Sequence, residues 1–240
     1  MLFKFLEKPI EITAFIMSDY AWVNTYTPIA PASKYIPGWW KDLPISSNRW
    51  GINMEHQVFN TVKSCIGIIG TFQTGYILPL WCDLAVKINS DGSWATQFAD
   101  LKSVLTPHSN IQIAKFYDDF LYFKLESPWR LRASKEIKFI FCDPFYINQK
   151  KPYIIPYGIP TTIDKNIFLN PFIMMEKKST DIIIEHGTPL LHLIPLTEKP
   201  IIFKTEVISA EEYLKIGNPK ISFNSGPLKM MKILRGRKNG

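Results

Sequence analysis

Four histidines, His56, His108, His186 and His192, with carboxylates scattered between them, are the side chains of this chain best suited to gather a metal. In double-sheet β folds two His and one carboxylate can hold iron on one side and leave positions open for oxygen and substrate. No histidine here begins a His-x-Asp or His-x-Glu pair, the close-spaced ligand set of such centres. A triad has to be assembled across the chain, from Asp83, His108 and His192. The simpler reading makes His192 a core or edge histidine satisfied by backbone, and His186, beside Gly187, a turn residue. Asp83 and the Asp118-Asp119 pair could serve as acid and base only if the fold brings them together.

The other reactive signatures are missing. The chain has no Gly-x-Ser-x-Gly elbow, no phosphate-cradling glycine loop with Lys and Ser or Thr, and no His-Glu-x-x-His helix. Its three cysteines, Cys65, Cys82 and Cys142, lie far apart with no Cys-x-x-Cys spacing, which reads as buried reduced thiols. The residues therefore favour binding over reaction, with no cofactor expected. The alternative is an enzyme using iron or another divalent metal at Asp83, His108 and His192.

Side chains suited to binding fall in three places. Trp39 and Trp40 follow Pro37-Gly38 in a segment punctuated by Pro28, Pro31 and Pro37, which predicts an extended arm over about 26–44 closed by a turn at Pro37-Gly38. Each Trp ring buries about 150–250 Å² when packed, so the pair either pins the arm to the core or offers a ligand platform. In residues 76–88 the two-residue period puts Leu78, Leu80, Cys82, Leu84 and Val86 on one face. Ile77, Pro79, Trp81, Asp83, Ala85 and Lys87 fall on the other. The first face is predicted to be core, and Trp81, Asp83 and Lys87 become the candidate wall of a small-ligand pocket. The third place is the C-terminus, where Lys229, Lys232, Arg235, Arg237 and Lys238 stand with no acid among them. That tail, 227–240, reads as a solvated arm able to make anion or weak nucleic-acid contacts.

The elements that must position these residues read as strands. Candidate strands are 10–16, 61–69, 76–88, 93–98, 116–125, 129–133, 137–141, 168–175, 181–185 and 190–195, joined by turns such as Asp91-Gly92. Gly75 and Gly187 open two similar apolar runs interrupted by proline, as expected at bulges or sheet margins. Ser209 with Glu211 and Glu212 marks a helix start, and Gly217-Asn218-Pro219 its end. Short strands at this spacing predict an all-β sandwich or barrel, with helix the minority element.

Composition agrees. Aromatic residues make up 14% and prolines number 18, a mixture suited to strands with stiff connections, and 240 residues at 46% hydrophobic can fill one core. One domain over 1–226 is expected. The net charge of +7 comes from 28 Lys and Arg against 21 Asp and Glu spread over most of the chain, so it does not by itself announce a nucleic-acid partner. The first residues are broken too early by Glu7 and Lys8 for a secretory signal, and no run reaches the ~18 apolar residues of a spanning helix. A soluble, cytosolic protein is expected, with no membrane contact.

The motifs Pro37-Gly38-Trp39-Trp40, Gly75-Tyr76-Ile77-Leu78-Pro79-Leu80-Trp81-Cys82-Asp83, Ser127-Pro128-Trp129 and Gly187-Thr188-Pro189-Leu190 resemble, in that order, an uncharacterised family encoded by large tailed phages, especially marine ones. The likeness covers roughly 20–200. The second half is also distantly similar to a bacterial cupin-like domain family of unknown function. The resemblance implies a viral source, a jelly-roll or cupin-like β-sandwich, and a place in the host cytoplasm or the virion, but no activity. With it, a non-catalytic binding or assembly module is expected, acting on a protein partner or a second copy of itself.

Overall fold

Short runs rich in β-branched and aromatic residues form seventeen strands in the computed structural model, which describes residues 8–50, 56–100, 103, 105–109, 118–144, 146–147, 151–156, 159–163 and 166–217. The protein is all-β, with a few short helices. A four-stranded sheet runs in the order β13 (Asn166–Phe168), β10 (Trp129–Ala133), β1 (Ile10–Met17), β17 (Ile201–Ile208). A five-stranded sheet orders β12 (Ile159–Ile163), β11 (Ile137–Cys142), β16 (Pro189–Pro195), β5 (Tyr76–Pro79) and β2 (Ala30–Pro31). Two three-stranded sheets follow, β14 (Phe172–Glu176), β9 (Phe120–Leu125), β8 (Leu105–His108), and β15 (Thr180–Ile184), β6 (Leu84–Ile88), β7 (Trp94–Phe98). A two-stranded ribbon, β3 (Ser46–Trp50) with β4 (His56–Asn60), completes the set.

One hydrophobic cluster draws on all four larger sheets. Ile12, Ala14 and Ile16 of β1 share it with Trp129 and Leu131 of β10, Phe139 of β11, Leu191 and Leu193 of β16, Val86 of β6 and Phe123 of β9. The alternation that a half-buried strand needs is visible in β6, where Leu84, Val86 and Ile88 are buried and Ala85 and Lys87 exposed. β1 and β17 pair in parallel from Ile10 with Ile201 to Met17 with Ile208, so the first and last strands of the described chain lie side by side.

The two glycine-led runs turn out to be partners: β5 pairs antiparallel with β16, with a register shift between Pro189 and Leu191. Gly75 sits at φ +77°, and a Cβ there would lie 2.1 Å from the Leu193 carbonyl oxygen, a space only glycine leaves open. The 76–88 run is two strands rather than one. It breaks after Pro79, where Leu80 donates to Thr188 O at 2.8 Å and accepts from Gly187 N at 2.7 Å. The two-residue period does not pass through such a break. Ile77 and Trp81, placed by the period on the outer face, are fully buried.

Residues 61–69 are not a strand. Thr61 O γ1 accepts from the Lys63 amide and starts a single 3-10 turn, after which α3 (Ile66–Gln73) runs to within two residues of β5. A short apolar run is ambiguous between strand and buried helix by periodicity alone, and here the helix prevails. Residues 168–175 likewise divide between β13 and β14. The arm is extended only at β2, an edge strand against β5. Pro37-Gly38 opens a helix instead of closing the arm with a turn: α2 (Gly38–Asp42) begins with Trp40 and Lys41 amides bonded to Pro37 O, and Pro37 stands before it, where its missing amide costs nothing. α1 (Ala21–Tyr26) precedes the arm.

α4 (Ala210–Gly217) is the helix expected after Ser209. Ser209 Oγ accepts from the Glu212 amide at 3.2 Å while Glu212 Oε2 accepts from the Ser209 amide at 3.1 Å, a reciprocal cap. The helix packs on β1 and β13 and so spans the outer face of β10, which lies between them. Among the described residues no helix is long and apolar enough to cross a membrane.

Candidate functional site

Strand β10 reads Trp-Arg-Leu-Arg-Ala, and the pleat sends Trp129, Leu131 and Ala133 into the core and Arg130 and Arg132 to the opposite face. α4 covers that face at Arg130. Arg130 is consequently 6% exposed, its guanidinium lying 3.8 Å from the Tyr213 ring centre and 4.3 Å from the Phe168 ring centre. Nη1 donates to Tyr213 O of α4, and Nε is buried with no acceptor among the described residues.

This burial is out of the ordinary. A guanidinium taken from water costs several kcal/mol unless its charge is paired. Two aromatic faces return about 0.5–2 kcal/mol each, and a hydrogen bond to a neutral carbonyl about 1.5–3. Among the described residues no carboxylate forms a salt bridge with Arg130. The cation is packed and oriented, but not neutralised.

Arg130 lines a pocket of about 340 Å³ with Tyr20, Ser127, Asn170, Lys124 and Glu126 on its walls. Glu126 on the wall, and Asp100 beside Tyr20 and Ser103, are engaged elsewhere. Glu126 accepts from Lys124 at 3.0 Å and from Thr106 at 3.0 Å, and these contacts, Lys124 first, hold its carboxyl below the usual range. Asp100 accepts from Ser103 Oγ at 2.9 Å, and its charge and hydrogen bond add to the burial that raises the Tyr20 hydroxyl. Burial also raises Tyr213, whose hydroxyl donates to Pro128 O at 2.8 Å. Both phenols are neutral at neutral pH. Asn170 Oδ1 accepts from the Ser127 amide at 3.1 Å, which leaves its Nδ2 as the donor end.

A larger pocket, about 560 Å³, is lined by Cys142, Asp143, Tyr146, His192 and apolar residues. Cys142 and His192 are direct partners across β11 and β16, the arrangement in which a thiol and an imidazole could form a nucleophile and base. Their environment opposes it. Burial, helped by Asp143, pushes the Cys142 thiol up to about 11, so it stays protonated. His192 Nε2 is engaged with Thr74 O at 2.6 Å, and burial lowers its pKa more than that carbonyl raises it. His192 is the backbone-satisfied core histidine that the simpler reading describes.

The other residues singled out in the sequence are dispersed. Asp83, His108 and His192 belong to three different parts of the fold: Asp83 follows the break after β5, His108 stands on β8 with its ring 5.2 Å from Phe172, and His192 is in β16. Among the described residues no three His, Cys, Asp or Glu side chains are gathered for a metal. Asp83 instead accepts from the His186 amide at 2.7 Å and faces its Nδ1 at 3.1 Å, fixing the turn before Gly187. Those contacts, the amide first, hold its carboxyl below the usual range. Trp81 cannot wall a ligand site with Asp83 and Lys87: it is fully buried, with Nε1 donating to Ser103 Oγ at 2.8 Å, while Asp83 and Lys87 are exposed. Trp40 meets Phe72 of α3 edge-on at 5.3 Å and pins the arm, whereas Trp39 stays 37% exposed. Lys229, Lys232, Arg235, Arg237 and Lys238 lie outside the described residues.

Compared with protein-family models, curated proteins and solved structures, the chain matches none.

Proposed function

We propose that this protein is a non-catalytic binding module that recognises an anionic group at Arg130. One observation carries the reading: a guanidinium more than nine-tenths buried, close to the rings of Phe168 and Tyr213, borders an open pocket and forms no salt bridge among the described residues, the Glu126 carboxylate on the pocket wall being paired with Lys124. Arginine suits the role because its charge is permanent and its remaining N–H donors match the paired oxygens of carboxylate or phosphate. Ser127 and Asn170 on the same wall add neutral polar groups that can accompany an anion.

The likeness of four motifs to phage-encoded proteins, and of the second half to a cupin-like domain, goes with a β-sandwich of viral source and brings no activity with it. Residence in the host cytoplasm or the virion, and assembly with a protein partner or a second copy, go with that likeness.

Calorimetric titration with inorganic phosphate and with acetate, at fixed ionic strength, tests the reading. At least one anion binds the native protein in the millimolar range or tighter. Arg130→Lys, which keeps the charge but lacks the planar fork, weakens binding tenfold or more, about 1.4 kcal/mol. Lys138→Gln, an exposed change on β11, leaves it unaltered. Binding of neither anion, or equal binding by Arg130→Lys and the native protein, refutes it.

A further inference from the structure

Phe168 borders two pockets, the one beside Arg130 and a neighbour. Phe168, Lys124 and Asn170 also line a second pocket of about 270 Å³, whose remaining walls are apolar: Phe141, Ile155, Ile167, Phe172 and Leu191 are among them. The two cavities therefore share a wall, with a cationic polar side at Arg130 and an apolar side between β13 and β14.

We infer, resting on the reading above, that the ligand is an amphiphilic anion: a carboxylate or phosphate head held at Arg130, joined to an apolar body of about aromatic-ring size seated against Phe172, Ile167 and Leu191. Size supports this occupant. An apolar cavity of about 150 Å³ admits a benzene ring, so about 270 Å³ accommodates one ring with a linking atom or two. A long acyl chain is too large for it. Charge supports the orientation as well, because Lys124 at the shared wall is bonded to Glu126 and leaves Arg130 as the unneutralised cation. Phe168 presents its ring to the guanidinium and also borders the apolar pocket, placing head and body sites next to each other.

The experiment compares phenyl phosphate with inorganic phosphate, and benzoate with acetate, by calorimetry on the full chain. In at least one pair the aryl anion binds tenfold or more tighter than its small counterpart. Ile167→Phe, which fills the apolar pocket, removes that advantage. Phe172→Ala, at a wall residue 37% exposed and so tolerant of change, reduces the advantage at least threefold if Ile167→Phe does not fold. If the small anions bind and neither aryl anion exceeds its counterpart, this inference is overturned while anion recognition at Arg130 stands. If no anion of either size binds, the underlying reading fails and the inference with it.

Discussion

Gly75→Ala is expected to be far more damaging than the same change at Gly92, although both glycines have nearly the same backbone, φ +77° and +79°. Positive φ costs an L-residue roughly 1–2 kcal/mol. Alanine recovers about 0.4–1 kcal/mol by restricting the unfolded chain. At Gly92, in the hairpin between β6 and β7, the nearest atom to a new Cβ is Lys177 Cδ at 3.8 Å, ordinary contact, so a net loss of about 1 kcal/mol follows from these terms. At Gly75 the Cβ would stand 2.1 Å from Leu193 O, a backbone atom inside the β5–β16 pair. The carbonyl has to retreat by roughly 1 Å, and a close-packed interior resists that. The retreat loosens the ladder there and the neighbouring Thr74–His192 bond. Two or three hydrogen bonds at about 1 kcal/mol each bring the total to about 3–4 kcal/mol. Urea unfolding of both variants measures the difference, which at a slope of about 1–3 kcal/mol per molar should separate the midpoints by roughly 1 M. Equal midpoints would mean that the close approach of Gly75 to β16 does not occur, and the pairing of the two glycine-led runs would have to be abandoned.

Two further outcomes follow from buried groups. With a thiol-reactive disulfide reagent at pH 8, Cys65, which is exposed, reacts quickly in the native protein, while Cys82 and Cys142, both raised by burial, react only on unfolding; fast modification of two or more thiols in the folded state would contradict their burial. The depressed pKa of His192 makes stability pH-dependent: the contribution is complete above the ordinary histidine value of 6.5 and is lost as pH falls from there toward the folded value, because the unfolded chain takes up the proton first. Thermal midpoints between pH 8 and 5 should fall on the acid side, and His192→Gln should reduce that slope; an unchanged slope would remove His192 as its source.

Particular elements show what the sequence could disclose. The burial pattern of β6, the hairpin at Asp91-Gly92 and the cap of α4 were legible because each depends on residues within a few positions of one another. α3 was not, since Ile66-Gly67-Ile68-Ile69 carries the same apolar character whether it coils or extends. Trp81 was misplaced because the period assumed an unbroken strand, and the break at residues 80–83 is made by hydrogen bonds to Gly187 and Thr188, a hundred residues onward. Asp83 and His186 were each noted, yet their contact depends on that same remote pairing.

Arg130 shows the limit most plainly. The alternation of Trp129, Arg130, Leu131 and Arg132 places both arginines on one face of β10, and read alone that face would be solvated. What separates them is α4, some eighty positions later, which crosses the sheet so that Tyr213 closes over Arg130 while Arg132 stays exposed and bonds Asn166 at 2.9 Å. Asn166 in turn donates to Ile216 O at 2.9 Å, and Tyr213 to Pro128 O, so the end of the helix is fastened at three points around the guanidinium. Fastening α4 would have been achieved by the Asn166–Ile216 bond and the Tyr213 hydroxyl without burying a charge. Burying Arg130 as well, beside a pocket and without a counter-ion among the described residues, adds a desolvation cost that the proposed anion would offset. Under the proposed reading, helix anchoring and anion recognition are coupled through one side chain, and a bound anion should slow amide exchange in α4.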